Sequence, residues 1–429
     1  MIKKFQLVLL FRDFEMKFLH SIIYIFVNIF LKCIVFKLNV CILIIEKLSI
    51  RPPVLLQRLR YRLSNHHIQF GKPHYLENSN GQNTFIMLPA IGWNDMVQRQ
   101  QQFAKTLSSM GWTVYYLTKD IGGDEVRGLK KIKDNLFLCS DIRILTKIEN
   151  AWIYMWWPEH FDDLKRFLSP KFIYDYADNI EILTHYDRRL RNNHFEALKR
   201  ADLVFATADS LKEDIEKIRP DSLLITNAVT IEDFLVLEKL PIPDDIADIV
   251  KSGKPIIAYY GIISEWKINY KLLLNVANKL NDFTFLLIGP DFDGSLNKFA
   301  SKASSNIKIL GKKHYHELPA YTRHFSLAML PLNINKKTIP ISPVKLFEYF
   351  AIGTPVVSTA IPECKKYKSV LIAENETEFV NNIKKAIQLK DSLEFQNILK
   401  TEAENNTWRK RCEIVSKNMQ RINKQKLIK

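Results

Sequence analysis

Pro343-Val344-Lys345-Leu346-Phe347-Glu348-Tyr349-Phe350-Ala351-Ile352-Gly353-Thr354-Pro355-Val356-Val357-Ser358 places a lysine and a glutamate three residues apart at a predicted helix start, then turns through Gly-Thr-Pro into an apolar run. A proline near the first helical position pre-sets φ, and the free N–H groups at a helix N-terminus favour a phosphate through the macrodipole. Lys345 adds a point charge to that anion site. Glu348, one turn on and on the same face, can accept hydrogen bonds from a ribose diol. Pro343, Val344, Lys345 and Glu348 can thus hold both halves of a nucleoside diphosphate. The same spacing also describes an ordinary amphipathic helix with an exposed ion pair of little energetic value.

Outward from this stretch, short apolar β-rich runs alternate with helical ones. Residues 85–88, 114–118, 152–156, 172–176, 203–207 and 223–226 read as strands, with an amphipathic helix over 96–110. A second set follows at 256–260, 283–288, 307–310, 327–330 and 355–358. This is the rhythm of doubly wound parallel sheets, and 237–255, with Pro241, Pro243, Gly253 and Pro255, reads as the linker between two of them. The fold class is therefore α/β: two Rossmann-like domains over 81–240 and 254–412, an N-terminal helical extension over 1–80, and a basic C-terminal helix or tail over 413–429. Two such domains face their strand carboxyl ends across one cleft, where ligands bind.

A chain of 429 residues is too long for a single core, and its 47% apolar and 25% charged residues exclude a disordered chain. The five cysteines, Cys33, Cys41, Cys139, Cys364 and Cys412, are scattered with no CxxC or Cys/His cluster, which argues against a disulfide framework or a structural zinc. Of the net charge of +16, residues 1–80 supply +8, from 12 Lys/Arg against 4 Asp/Glu. Such asymmetry points to an anionic partner surface. No recognition-helix, zinc-finger or RRM signature supports nucleic acid.

An anionic bilayer fits the pattern better. Residues 22–45 are largely apolar, yet Lys32 and Lys37 interrupt any spanning window. Lys17, Ser21, Asn28, Lys32, Asn39 and Glu46 fall on one narrow helical stripe, with Lys37 off it, and Arg51, Arg58, Arg60 and Arg62 follow. That predicts a helix lying in the interface, with the arginines at anionic head groups, and a peripheral protein on the cytoplasmic face of the cell membrane. Packing of the same helix on the protein's own surface is the alternative.

From about Thr84 to about Cys412 the chain resembles the group 1 glycosyltransferases, the GT-B family that transfers sugars from nucleotide donors. The resemblance rests on the stretch quoted above, on Trp93-Asn94-Asp95-Met96-Val97-Gln98-Arg99-Gln100-Gln101 with Gly111-Trp112-Thr113-Val114, and on Ala201 to Ala208 with Asn227-Ala228-Val229. Tyr260-Gly261-Ile262-Ile263-Ser264-Glu265-Trp266, Leu287-Ile288-Gly289-Pro290, Leu310-Gly311 and Asn406-Thr407-Trp408 complete it. Ordered matches along the chain are far more specific than any one. The chain departs from the pattern at Pro340, where many retaining members carry a second glutamate that touches the transferred sugar, and at Ala228, where glycine is usual.

The resemblance implies a sugar-nucleotide donor, a glycan or lipid-linked acceptor and a role in bacterial envelope or exopolysaccharide synthesis. Gly261, at a strand end, lets backbone approach a diphosphate closely, and the resemblance makes Lys267 a phosphate contact, with solvent exposure as its alternative. Gly92 is the matching turn of the other domain. Asp178 is the candidate acceptor-side base, and Asp175 reads as a helix N-cap or a second base. Tyr315 and His314 are candidates to border the nucleobase. Asp291-Phe292-Asp293 reads as a solvated loop rather than a metal site, so no metal and no cofactor are expected, with lysines and helix N-termini neutralising the leaving diphosphate. Two further readings stay open: a non-hydrolysing sugar-nucleotide epimerase, and a non-catalytic nucleotide-sugar-binding scaffold.

Overall fold

The computed structural model describes residues 83–118, 124, 126, 128–183, 187–235 and 240–428. The expected interfacial helix within 1–80 lies outside them. Among the described residues no helix is long and apolar enough to cross a membrane.

The first sheet has eight strands, β1 (Thr84–Met87), β2 (Thr113–Leu117), β3 (Leu129–Lys133), β4 (Leu136–Cys139), β5 (Trp152–Met155), β6 (Lys171–Tyr176), β7 (Leu203–Ala206) and β8 (Leu223–Leu224), in the order β3-β4-β2-β1-β5-β6-β7-β8. All neighbours run parallel except the β3–β4 hairpin. The second sheet, β9 (Ile256–Tyr260), β10 (Thr284–Ile288), β11 (Ile307–Gly311), β12 (Leu327–Leu330), β13 (Val356–Thr359) and β14 (Val370–Ala373), is entirely parallel in the order β11-β10-β9-β12-β13-β14. Strands β1, β5, β7, β9, β10 and β12 are buried along their whole length. That is why they read as continuous apolar runs: a parallel sheet is covered by helices on both faces.

In each sheet the strand order reverses at one place, between β1 and β5 and between β9 and β12. A crevice opens at the carboxyl ends of the strands at such a switch point. The four loops that follow these strands contribute Ile91, Trp156, Gly261 and Leu332 to one shared cleft.

Three elements differ from expectation. The β3–β4 hairpin was not anticipated because β3 reads Leu-Lys-Lys-Ile-Lys and is mostly exposed; its lysines suit an edge strand that must not recruit another chain. The linker over 237–255 is partly structured, with helix Ala247–Lys251 and a buried Ile246 packed on the second domain's core. The boundary at 412 falls inside helix Trp408–Ile428. The chain leaves the second domain at Asn406, whose carbonyl accepts from Val229 N at 3.0 Å, while Trp408 N donates back to Val229 O at 3.0 Å. Trp408, Cys412, Val415 and Met419 then enter the first domain's core beside Phe85, Phe103 and Tyr154. Their spacing of four, three and four is one helical stripe. The last helix is therefore part of the first domain rather than a tail.

Because Trp408 is 1% exposed and seals that core, Trp408→Ala should destabilise the protein by about 3–5 kcal/mol. Urea unfolding followed by first-domain aromatic fluorescence checks this; a loss below about 1 kcal/mol would mean that the helix is only draped on the surface.

Candidate active site

The cleft between the two sheets has a volume of about 470 Å³, within the range of small-molecule sites. Its second-domain wall is built on β9, β10 and helix Val344–Ala351. Pro343 is the N-cap of this helix, at φ −72°, one position earlier than expected, and Val344 and Lys345 form its first turn, where N–H groups lack intrahelical acceptors. Pro343, Val344, Lys345 and Glu348 all line the cleft.

Gly261 stands directly under Lys345. It has φ +126°, and a Cβ there would lie 2.6 Å from Lys345 Cε and Nζ. The ammonium also sits 5.3 Å from the centre of the Tyr259 ring. Gly289 is still more constrained, with φ +152° and room for a Cβ only 1.8 Å from the Gly261 carbonyl oxygen. The two strand ends therefore approach backbone to backbone, and Gly261 N donates to Ile288 O at 2.9 Å. Any side chain at Gly289 would push the floor apart.

Glu348 is buried, and the Tyr260 hydroxyl donates to its Oε2 at 2.6 Å. Burial pushes this carboxyl up to about 7, against the opposing effects of the Tyr260 hydrogen bond and Lys345. Burial likewise pulls the Lys345 amine down to about 8, opposed by Glu348. Lys267 is held well below the usual amine range by burial and by Lys345, with Asp178 acting in the opposite direction. Lys345 and Lys267 thus repel each other, and Glu348 and Asp178 offset part of that cost.

The first-domain wall carries Asp178, which lines the cleft, and whose carboxyl burial raises to about 7 while Lys267 opposes the shift. A carboxyl poised near neutrality suits a general base. Asp175 has a different role from either one expected of it. It is fully buried, receives Arg99 Nε at 2.6 Å and Nη2 at 3.2 Å, and also accepts the Tyr154 hydroxyl. Both oxygens are engaged in a buried ion pair, so Asp175 neither caps a helix nor faces a substrate.

Arg99 continues the network. Its Nη1 donates to Thr226 O at 3.2 Å and to Asn227 Oδ1 at 3.3 Å. Asn227 Nδ2 in turn donates to Ser342 O at 2.6 Å, immediately before the Lys345 helix. Burial pulls the guanidinium downward, but Asp175 and Tyr154 together outweigh it and the net shift is upward. Arg99, Asn227, Tyr260 and Gly289 all stand inside the quoted motifs, yet only long-range pairing gives them these roles.

The remaining candidates divide. Tyr315 lines the cleft, and its hydroxyl donates to Asp233 at 3.1 Å and accepts from Gln102 at 3.1 Å, tying the two domains. Gly92 is buried, its carbonyl accepts from Gln101 at 3.0 Å, and it does not line the cleft. Asp291 accepts from Asp293 N and Leu296 N, while Asp293 accepts from Ser295 N and Glu265 N. These carboxylates organise their own loop. His314 begins a turn in which Glu317 Oε2 accepts from His314 N at 2.6 Å, and it does not line the cleft. Pro340 is buried beside the wall and also does not line the cleft. Among the described residues no group of three or more His, Cys, Asp or Glu side chains is arranged to hold a metal ion.

Two predictions follow from this geometry. Arg99→Met leaves Asp175 charged and buried, so it should cost about 3–5 kcal/mol in urea unfolding, whereas a neutral result would dissolve the network. For an anionic, hydroxyl-bearing ligand held between Lys345 and Glu348, ionisation of Glu348 should raise affinity as pH passes about 7, and loss of the Lys345 proton should lower it above about 8 because a bound anion favours the protonated amine. Calorimetric titration from pH 6 to 10 tests the sign; affinity that is flat or still rising above pH 8 contradicts it.

Comparison with known proteins agrees with this architecture. Residues 254–389 match the family model described as glycosyl transferases group 1. TuaH of Bacillus subtilis, named as a teichuronic acid biosynthesis glycosyltransferase, is 24% identical over 199 residues, 45% of this chain and 49% of TuaH. The chain thus spans about half the length of the curated relative it matches. Sucrose-phosphate synthase from Thermosynechococcus elongatus superposes with a TM-score of 0.61 at 13% identity, over 80% of this chain and 100% of that one. Anabaena HepE in complex with UDP-glucose gives 0.59 at 12% identity, over 79% and 99%. The second domain thus matches the group 1 glycosyltransferase family model, and the two parallel-sheet domains share the fold of these solved structures.

Proposed function

We propose that the chain transfers a sugar from a nucleoside diphosphate donor to a membrane-associated glycan or lipid-linked acceptor in envelope polysaccharide synthesis. The observation that carries this is the juxtaposition of Lys345, Gly261, Lys267 and Glu348 on one wall of a cleft whose other wall presents Asp178. Two buried amines near a helix N-terminus suit a diphosphate, and a carboxylate one turn along the helix suits a ribose diol. A bound diphosphate favours the protonated form of both amines and compensates their mutual repulsion. The same charges stabilise the departing diphosphate, so no metal is required. Asp178 takes the proton from the acceptor hydroxyl. The family resemblance and the UDP-glucose complex of HepE support the donor class, and the relative TuaH supports the polysaccharide context. Attachment to an anionic membrane on the cytoplasmic side rests on the basic, apolar 1–80 segment.

A screen of UDP-, GDP- and dTDP-sugars by thermal stabilisation identifies the donor, since ligand at 100 times its Kd adds about 2.7 kcal/mol. With that donor, Glu348→Gln should weaken nucleoside and sugar nucleotide alike, by about 1.5–3 kcal/mol. Lys345→Met should spare the bare nucleoside, weaken the diphosphate and lower kcat. If both variants bind every ligand as the parent does, the site assignment is wrong.

Metal independence is tested separately. Transfer should survive EDTA, and the double change Asp291→Ala and Asp293→Ala should leave it nearly unaltered; activity lost to EDTA and restored by Mg²⁺ or Mn²⁺ refutes the metal-free mechanism.

A further inference from the structure

Three consecutive glutamines, Gln100, Gln101 and Gln102, begin helix Arg99–Ser109 and are at most 2% exposed. Two are engaged at both ends of their amides. Gln101 donates to Gly92 O at 3.0 Å and Met96 O at 3.3 Å and accepts from Gln98 N at 3.0 Å. Gln102 donates to the Tyr315 hydroxyl at 3.1 Å and accepts from the Thr230 hydroxyl at 3.0 Å. Gln100 differs from both: its Nε2 and Oε1 are buried without a hydrogen-bond partner, and the residue lines the cleft.

A buried amide with neither end satisfied costs stability, and such a cost is retained where binding uses it. The amide offers N–H donors and a carbonyl acceptor in one plane. What satisfies it must present an acceptor and a donor side by side. Neighbouring hydroxyls of a neutral sugar ring do so, because each hydroxyl both donates and accepts. A sugar carboxylate does not, since its oxygens only accept and would leave Oε1 facing negative charge.

Resting on the sugar-nucleotide reading of the cleft, we infer that Gln100 is a specificity-determining contact to a neutral sugar ring, with one hydroxyl donating to its Oε1 and a neighbouring one accepting from its Nε2. The ring belongs either to the donor or to the acceptor, and the chemistry is the same.

Gln100→Leu keeps the shape and removes both polar atoms. It should melt no lower than the parent, because an unsatisfied group has been replaced by an apolar one. In calorimetry with UDP, GDP and dTDP against the corresponding glucose nucleotides, the free diphosphate should bind as it does to the parent. The extra affinity contributed by the sugar should fall about ten-fold. If the ring is the acceptor's, donor affinity is unchanged and the KM for a membrane lipid fraction rises about ten-fold instead. The inference is overturned if Gln100→Leu keeps both the parent's sugar-to-diphosphate affinity ratio and its acceptor KM, or if it melts well below the parent, which would make Gln100 a packing residue. A parent that binds none of the diphosphates fails earlier, at the reading of the cleft itself.

Discussion

The structure turns on the buried guanidinium of Arg99. Removed from water, it is tolerable only because Asp175 meets it in bidentate fashion and because Thr226 O and Asn227 Oδ1 take a further N–H group. That pairing joins β6 to the first-domain helix and to the strand end at the domain junction. Through Asn227 it reaches Ser342 and hence the N-cap of the Lys345 helix. Thr226 is also held from the other side by Arg411 of the returning last helix, at 2.7 Å. The first domain's core charge, the crossing of the chain and the placement of the Lys345 helix are thus one connected set of hydrogen bonds.

The second constraint is steric. Because Gly289 lies against the Gly261 carbonyl, the ends of β9 and β10 form a floor with no side chains, and Lys345 can lie flat across it. A floor of this kind can bring a small anion close to backbone and ammonium together. The wall opposite is polar but uncommitted: Asp178 and Gln100 both line it without a hydrogen-bond partner identified for either Gln100 amide atom. The asymmetry places Lys345, Lys267 and Glu348 on one side of the cleft and Asp178 and Gln100 on the other.

Much of this was legible in the sequence. Buried parallel strands declare themselves by unbroken apolar runs, which is why β1, β5, β9 and β12 fell where expected. That Lys345 and Glu348 share one wall of the cleft was legible because it depends on spacing within a single helix. What escaped depends on distant partners or weak local signals. Arg99 and Asp175 are 76 positions apart, and nothing local to either says that they pair. Asp175 accordingly read as a cap or a base. The β3–β4 hairpin escaped because an edge strand rich in lysine lacks the apolar signal, and the last helix read as a tail because its basic residues obscure the stripe through Trp408, Cys412, Val415 and Met419.

The account's central claim is that one cleft holds a sugar nucleotide with its ribose at Glu348 and its diphosphate at Lys345. A crystal structure of the chain soaked with the sugar nucleotide chosen by the stabilisation screen tests it most directly. The account predicts ribose hydroxyls donating to the Glu348 carboxylate, the diphosphate over Gly261 within reach of Lys345 and Lys267, and the sugar turned toward the wall of Gln100 and Asp178. A nucleotide seated elsewhere, or one in this cleft with its diphosphate directed away from Lys345, would contradict it.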